Sequence, residues 1–153
     1  HRELEPTNIN ELMDEICELI ETDIKEVNAT IQYEDLPTVP VSALLMRQLL
    51  QNLITNAIKF QAENNPPVID VRVSEEAEGW HFRVYDNGIG IAEEYREKVF
   101  QVFSRLHDLQ TYSGNGIGLA ICKKIVDIHH GRIWIEENVP HGTVFHFTVA
   151  RRV

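Results

Sequence analysis

Residues 52–60 read Asn52-Leu53-Ile54-Thr55-Asn56-Ala57-Ile58-Lys59-Phe60, and they close a stretch with helical periodicity that opens at Ser42. Met46, Leu49, Leu50, Leu53, Ala57 and Phe60 recur three or four residues apart, as the buried stripe of a helix does. Ser42 suits the N-cap, and Asn64-Asn65-Pro66-Pro67 ends the pattern. Beside the apolar stripe, Gln48, Asn52, Asn56 and Lys59 follow at spacings of 4, 4 and 3, so they share one polar face. A merely solvated face favours Glu and Lys, which are stronger helix formers than Asn. Asn offers a neutral oxygen to a hard cation and an amide donor to a phosphate. The spacing by itself admits both a row of surface amides and a row facing a ligand.

Two glycine-rich stretches lie downstream. Asp86-Asn87-Gly88-Ile89-Gly90-Ile91 follows an apolar strand pattern. Asp-Asn-Gly there is a tight-turn signal, but a second glycine comes two residues later and a helix then starts near Glu93. Gly88 and Gly90 would let backbone approach a flat ligand, with Asp86 as a partly buried acceptor for an exocyclic amine such as that of adenine. The second stretch, Gly114-Asn115-Gly116-Ile117-Gly118-Leu119, opens a helix. Exposed N–H groups and the positive end of the helix dipole make an anion site there. The dinucleotide fingerprint does not fit, because no strand precedes and the third glycine comes early. A P-loop is excluded, since no Gly-Lys-Ser/Thr occurs.

The rest of the chain is read around these segments. Asn8 with Glu11 resembles a capping box before an amphipathic first helix of Ile9, Leu12, Met13, Ile16, Leu19 and Ile20. Residues 28–33 alternate toward a strand, and 36–40 form an extended, proline-set connector. Residues 69–73 and 80–84 alternate around a turn at Glu78-Gly79, which predicts an antiparallel hairpin. Residues 119–130 predict a further helix ended by Gly131, and 133–137 and 144–149 the last two strands. The sum is an α+β domain with helices on one face of a mixed, mainly antiparallel sheet of about five strands.

Composition narrows the classes. With 153 residues, 43% hydrophobic and 25% charged, the chain suits one soluble domain. No apolar run nears the roughly 18 residues of a membrane span, and the polar start lacks a secretory pattern. Cys17 and Cys122 have no metal-ligand spacing and read as reduced core residues, which favours a cytoplasmic setting. A net charge of −10, with Lys25 the only Lys or Arg in residues 11–35, excludes a duplex-binding surface. A bound polyanion would then need Mg²⁺, a few placed cations and backbone N–H groups.

Taken in order, these segments resemble sensor histidine kinases. Residues 52–60 look like their N box, 86–91 their first glycine box and 114–119 their second. Phe100-Gln101-Val102-Phe103-Ser104-Arg105 resembles the F box, and Gly142-Thr143 stands where a final Gly-Thr element occurs. The chain is thereby identified as a member of the gyrase, chaperone, histidine kinase and mismatch-repair ATPase superfamily. The implied fold is the two-layer Bergerat α/β sandwich. Arg105-Leu106-His107 and Ile121-Cys122-Lys123-Lys124 are similar to phytochrome-like and other soluble bacterial sensor kinases.

The resemblance implies the roles. Asn56 would be the Mg²⁺ ligand, with Asn52 and Lys59 near the phosphates and Phe60 beside the nucleotide. Asp86 would accept from the adenine amine in a pocket with Gly88, Gly90, Ile91 and Thr143. Residues 100–118 would form the ATP lid, with Gly114, Asn115, Gly116, Ile117, Gly118 and Leu119 over the phosphates. Arg105 would reach either the γ-phosphate or a docking surface. Gyrase-type relatives carry a Glu where Asn52 stands, and Asn cannot serve as a base for water.

On this reading residues 1–7 are a linker from an upstream helical domain, and 8–150 the ATP-binding catalytic domain. That upstream domain would bear the phosphoacceptor histidine and dimerise the parent protein, and a response regulator receiver domain would take the phosphoryl group from it. The isolated domain would be a monomer unable to phosphorylate itself. A nucleotide-binding regulatory module without transfer, and an anti-sigma-type serine kinase, are the alternatives. Of the histidines, His81 and His146 are expected at the surface on outward strand positions. His129-His130 is expected to act as a cation at a helix end, and His107 to lie at the lid's edge.

Overall fold

The computed structural model describes residues 4–61, 64–101 and 118–151. β1 (Glu5–Asn8) leads into α1 (Ile9–Leu19), where the Asn8 side chain accepts from the Glu11 N–H at 3.1 Å as the expected cap. After α2 (Glu21–Val27), Asn28 takes a left-handed conformation (φ 57°) and turns the chain into β2 (Thr30–Gln32). β3 (Thr38–Val41) precedes α3 (Ala43–Lys59), whose N-cap Ser42 accepts from the Leu45 N–H. β4 (Val68–Glu76) and β5 (Gly79–Asp86) are the expected hairpin. Two single 3₁₀ turns, Glu93–Tyr95 and Lys98–Phe100, stand where one short helix was expected. α4 (Gly118–Ile128), β6 (Ile133–Glu137) and β7 (Thr143–Ala150) complete the described chain.

The main sheet has the order β2-β4-β5-β7-β6, with β2 parallel to β4 and every other pair antiparallel. Its inner face and the apolar stripes of α1, α3 and α4 enclose one core, in which Met13, Ile16, Met46, Leu49, Leu53, Cys122 and Val126 are buried. Phe82 and Phe147 stack at its centre, rings 4.5 Å apart. The Pro-rich connector is more than an extended link: β3 pairs antiparallel with β1 as a second, two-stranded sheet, Glu5 opposite Val41. Part of the stretch assigned to a linker thus supplies a strand.

Three histidines differ from expectation. His81 and His146 do lie on the outward face of the sheet, yet only 7% of each is exposed, because Trp134 and neighbouring carboxylates cover them. His129 is 1% exposed. Its Nδ1–H donates to the Ile125 carbonyl and its Nε2 accepts from the Ser42 N–H, so it is a neutral bridge from the end of α4 to the start of α3, not a terminal cation. His130 (φ 56°), rather than Gly131, takes the left-handed cap position, and Gly131 N–H closes on the Val126 carbonyl. Gly131 is required for another reason: a Cβ there would lie 1.7 Å from the Thr148 carbonyl oxygen.

Candidate functional site

α3 carries its polar stripe along the rim of a cleft at one end of the sheet. Asn52 and Asn56 are half-buried, and Lys59 and Gln48 are exposed. Asn56 and Ala57 from α3, Phe60 at its C-cap, Asp86 from the end of β5, Gly90 and Ile91 beyond it, and Thr143 and Phe145 from β7 line one narrow cleft of about 20 Å³. The N box, the first glycine box and the Gly-Thr element, dispersed over 92 residues (52–143), therefore meet at one place.

Asp86 forms the floor of this cleft. It is 6% exposed, and its Oδ1 accepts from the Gly88 N–H at 2.8 Å and the Thr143 N–H at 3.1 Å. Both bonds fall on Oδ1, and Oδ2 has no partner among the described residues. Burial pushes the carboxyl up to about 6, against the two N–H bonds and the nearby His141, which pull it down. A poorly solvated carboxylate oxygen that neither backbone donor reaches suits an N–H donor that arrives with a ligand.

The backbone around Asp86 is glycine-dependent. A Cβ on Gly88 would lie 2.5 Å from the Phe60 carbonyl oxygen, and Ile89 N–H donates to that same carbonyl. The glycine box is thus pressed against the C-terminus of α3. Gly142 (φ 115°) closes from the other side, where a Cβ would lie 2.1 Å from the Asp86 carbonyl oxygen. At Gly90 a Cβ would meet the Gly142 carbonyl oxygen at an ordinary 3.4 Å, so it is the positive φ of 80° that calls for glycine there.

The buttress of this turn escaped sequence reasoning. Asn87 accepts from the Val68 N–H and donates to Pro66, while Asn65 donates to the Asn87 carbonyl. Asn138 donates to the Asp86 carbonyl at 2.7 Å, and His141 Nδ1 lies 3.3 Å from the Gly88 carbonyl oxygen. Only the loop composition around Asn138-Val139-Pro140-His141-Gly142 hinted at this.

On the far side, the Asn52 amide donates to the Gly118 carbonyl at 3.4 Å, which ties α3 to the first residue of α4. Leu119 is buried in the core. Lys123 is paired with Asp127 at 2.6 Å, and Lys124 is exposed. Arg105, His107 and Gly114, Asn115, Gly116 and Ile117 lie outside the described residues. Among the described residues, no cluster of three or more His, Cys, Asp or Glu could hold a metal, and no helix is long and apolar enough to cross a membrane.

Comparison with known proteins agrees with this geometry. Residues 42–153 match the family described as histidine kinase-, DNA gyrase B-, and HSP90-like ATPase. Cyanobacterial phytochrome A of Nostoc sp. strain PCC 7120 is 41% identical over 94% of the chain, which spans only 19% of that relative. The nucleotide-free catalytic domain of histidine kinase ThkA is 32% identical, with a TM-score of 0.81 and 99% of both chains covered. A structure of ThkA in complex with response regulator protein TrrA matches at 31% identity and a TM-score of 0.73, covering 97% of this chain and 42% of ThkA. Full-length ShkA in complex with AMPPNP matches at 26% and 0.78, covering 98% of this chain and 32% of ShkA. With a matching sequence signature, a matching two-layer fold and the motifs gathered at one cleft, the chain belongs to the family of histidine kinase-, DNA gyrase B-, and HSP90-like ATPases.

Proposed function

We propose that this domain binds Mg-ATP in the cleft between α3 and the Asp86 turn and donates the γ-phosphoryl group to a histidine on a separate helical domain. The observation that carries the reading is the Asp86 carboxylate: buried, held through Oδ1 alone, with Oδ2 available. Adenine presents the matching amine, and Gly90 and Ile91 line the cleft beside the carboxylate. The donor set fits the ligand, for the cleft lining offers one carboxylate for the base and a neutral amide, Asn56, toward the phosphates. Mg²⁺ takes few protein ligands when phosphates supply the rest, and it would neutralise charge on the transferring group.

The chain's own residues position and shield. Asn56 would hold the ion, while Asn52 and Lys59 would steer the phosphates. Phe60, Gly88, Ile91 and Thr143 would shape the base pocket, and Gly114, Asn115, Gly116, Ile117 and Gly118, with Arg105, would cover the phosphates, anchored by Leu119 in the core. Asn52 cannot activate water, so the phosphoryl group would be kept for the acceptor histidine and, through it, an aspartate on a response regulator. Such catalysis is positioning and electrostatic stabilisation rather than proton transfer. Residues 8–150 would be the catalytic unit, the parent protein a cytoplasmic homodimer.

Nucleotide titration by thermal shift, with and without Mg²⁺, tests binding. Saturation at 100 times the dissociation constant raises apparent stability by about 2.7 kcal/mol. A thermal readout is preferable to tryptophan emission, since Trp134 stacks on His146 across the sheet from the cleft. Labelled ATP should leave this chain unlabelled and label an added acceptor domain with acid-labile phosphate. Binding without transfer would favour the regulatory module, and acid-stable product the serine kinase.

The Asp86 carboxyl also predicts a pH dependence. As pH falls through about 6 the carboxyl protonates, and Oδ2, the oxygen away from the two N–H donors, takes the proton. It then presents O–H toward the adenine amine, so ATP affinity falls. Inorganic triphosphate, which shares the phosphate titration but lacks the base, is the control. Calorimetric titration at about pH 7.5 and about pH 5.5 should show a larger loss for ATP. Parallel losses would remove Asp86 from base recognition.

A further inference from the structure

A chain of four ionisable side chains runs across the outward face of the sheet, away from the cleft. Glu76 Oε2 lies 3.0 Å from His81 Nδ1, and His81 Nε2 lies 2.9 Å from His146 Nδ1. His146 Nε2 lies 2.6 Å from Glu136 Oε1, an ion pair by distance that is not aligned as a hydrogen bond. The four residues come from β4, β5, β7 and β6, which is the order of those strands in the sheet. One group per strand makes a continuous diagonal across the sheet, each step shifted by two residues along the strand register. It ends on the edge strand β6.

The contacts along the line require two protons and favour a third. A carboxylate only accepts, so Glu76 requires a proton on His81 Nδ1, and Glu136 favours one on His146 Nε2. The nitrogen–nitrogen contact at the centre requires one proton, not two and not none. Three protons on four ring nitrogens is one more than two neutral imidazoles carry. We propose that His81 and His146 hold a single positive charge in common, shared across their central contact between Glu76 and Glu136, and so form a pH-sensitive clasp over strands β4, β5, β7 and β6.

The surroundings favour that state over its neighbours. Trp134 stacks on His146 with centroids 4.8 Å apart and planes 7° apart, and it lies 5.2 Å from His81, which shields the pair from water. Among the described residues, the other charges near the pair are Arg83 on β5, whose Nη2 is 3.8 Å from Glu76, and Arg132, whose guanidinium carbon lies 4.8 Å from the Trp134 ring centroid. With these two cations near and water largely excluded, a second proton would set two N–H groups against each other at the centre. Loss of one proton would leave either two lone pairs facing each other at the centre or a ring-nitrogen lone pair facing the Glu136 carboxylate at 2.6 Å, and both carboxylates would lose the cation between them. Burial, with His81 and Arg83 nearby, holds the His146 imidazole below its ordinary range, the direction expected when the second proton is resisted. On the acid side, stability therefore falls as pH drops below the ordinary histidine range of about 6.5. On the alkaline side it falls again as the shared proton leaves.

The test is a nuclear magnetic resonance titration of the imidazole signals of this chain from about pH 4.5 to about 9. The expected result is two steps separated by at least about two pH units, with both rings responding in each, because the protons belong to the pair. His146→Gln should leave His81 with one step. Glu136→Gln, at an exposed position that does not threaten the fold, should move the upper step to lower pH while the lower step persists. Two independent single steps, or an upper step untouched by Glu136→Gln, would overturn the shared charge.

Discussion

Asn56→Ala should reduce the affinity for Mg-nucleotide at least about 100-fold, the upper end of what outer-shell changes already cost in metal sites. It should leave metal-free nucleotide binding almost unchanged. Asn56 is half-buried at the cleft rim and makes no side-chain hydrogen bond with another described residue. Its removal therefore breaks nothing inside the protein, and Ala is the better helix former by less than about 0.7 kcal/mol. The melting temperature of the free variant should equal or slightly exceed that of the parent. Calorimetry with and without Mg²⁺ separates the outcomes. An unchanged Mg-dependent affinity would remove Asn56 from the metal, and an equal loss in both conditions would give it a metal-independent contact.

Asp86→Asn has the second large effect, and its two consequences run in opposite directions. The amide oxygen can still accept from the Gly88 and Thr143 N–H groups, so the turn keeps its support. The amide nitrogen then faces the adenine amine, donor against donor. A site built around one such hydrogen bond discriminates strongly once its polar partner is wrong. ATP affinity should fall about 100-fold or more, while inorganic triphosphate binds as before.

The free protein, in contrast, should gain stability at neutral pH. A carboxyl raised from 3.8 to about 6 by burial is an ionised group that the folded state disfavours. Its contribution to stability is fully present below about pH 3.8 and is lost as pH rises through about 6. At pH 7 that loss is on the order of 3 kcal/mol, and a neutral amide avoids much of it. Tighter folding with weaker ATP binding is the signature of a charge kept for function. Asp86→Ala should also lose ATP far more than triphosphate. It would in addition orphan two buried N–H donors at about 1–3 kcal/mol each, so the Asn variant is the cleaner probe. Equal loss of ATP and triphosphate in either variant would refute the adenine assignment.

Features set by short-range pattern were legible in the sequence. The helix with Asn52 and Asn56, its Ser42 cap, the Asn8 cap of α1 and the hairpin of β4 and β5 are all consequences of periodicity and capping within a few residues. The glycines of the first box were legible too, since glycine marks close backbone approach whatever the approaching group is. What approaches was not legible. The Thr143 N–H that holds Asp86 is 57 residues away, and the Ser42 N–H that His129 accepts is 87 residues away. Neither separation leaves a periodic trace.

The same limit explains the histidines and the connector. A period of two says which face of a strand His81 and His146 occupy, and that reading was right. It cannot say that Trp134, Glu76 and Glu136 converge on that face and bury them, because those residues arrive from two other strands. The 36–40 connector was extended, as its prolines require, but its pairing with β1 depends on where α1 sends the chain. The sequence by itself determined the elements, the ligand-facing residue types and the family they resemble, because those are local in the chain. Only the tertiary structure decided which carboxylate oxygen is free, which histidines are buried and which strands stand side by side, because each depends on groups distant in sequence that packing alone brings together.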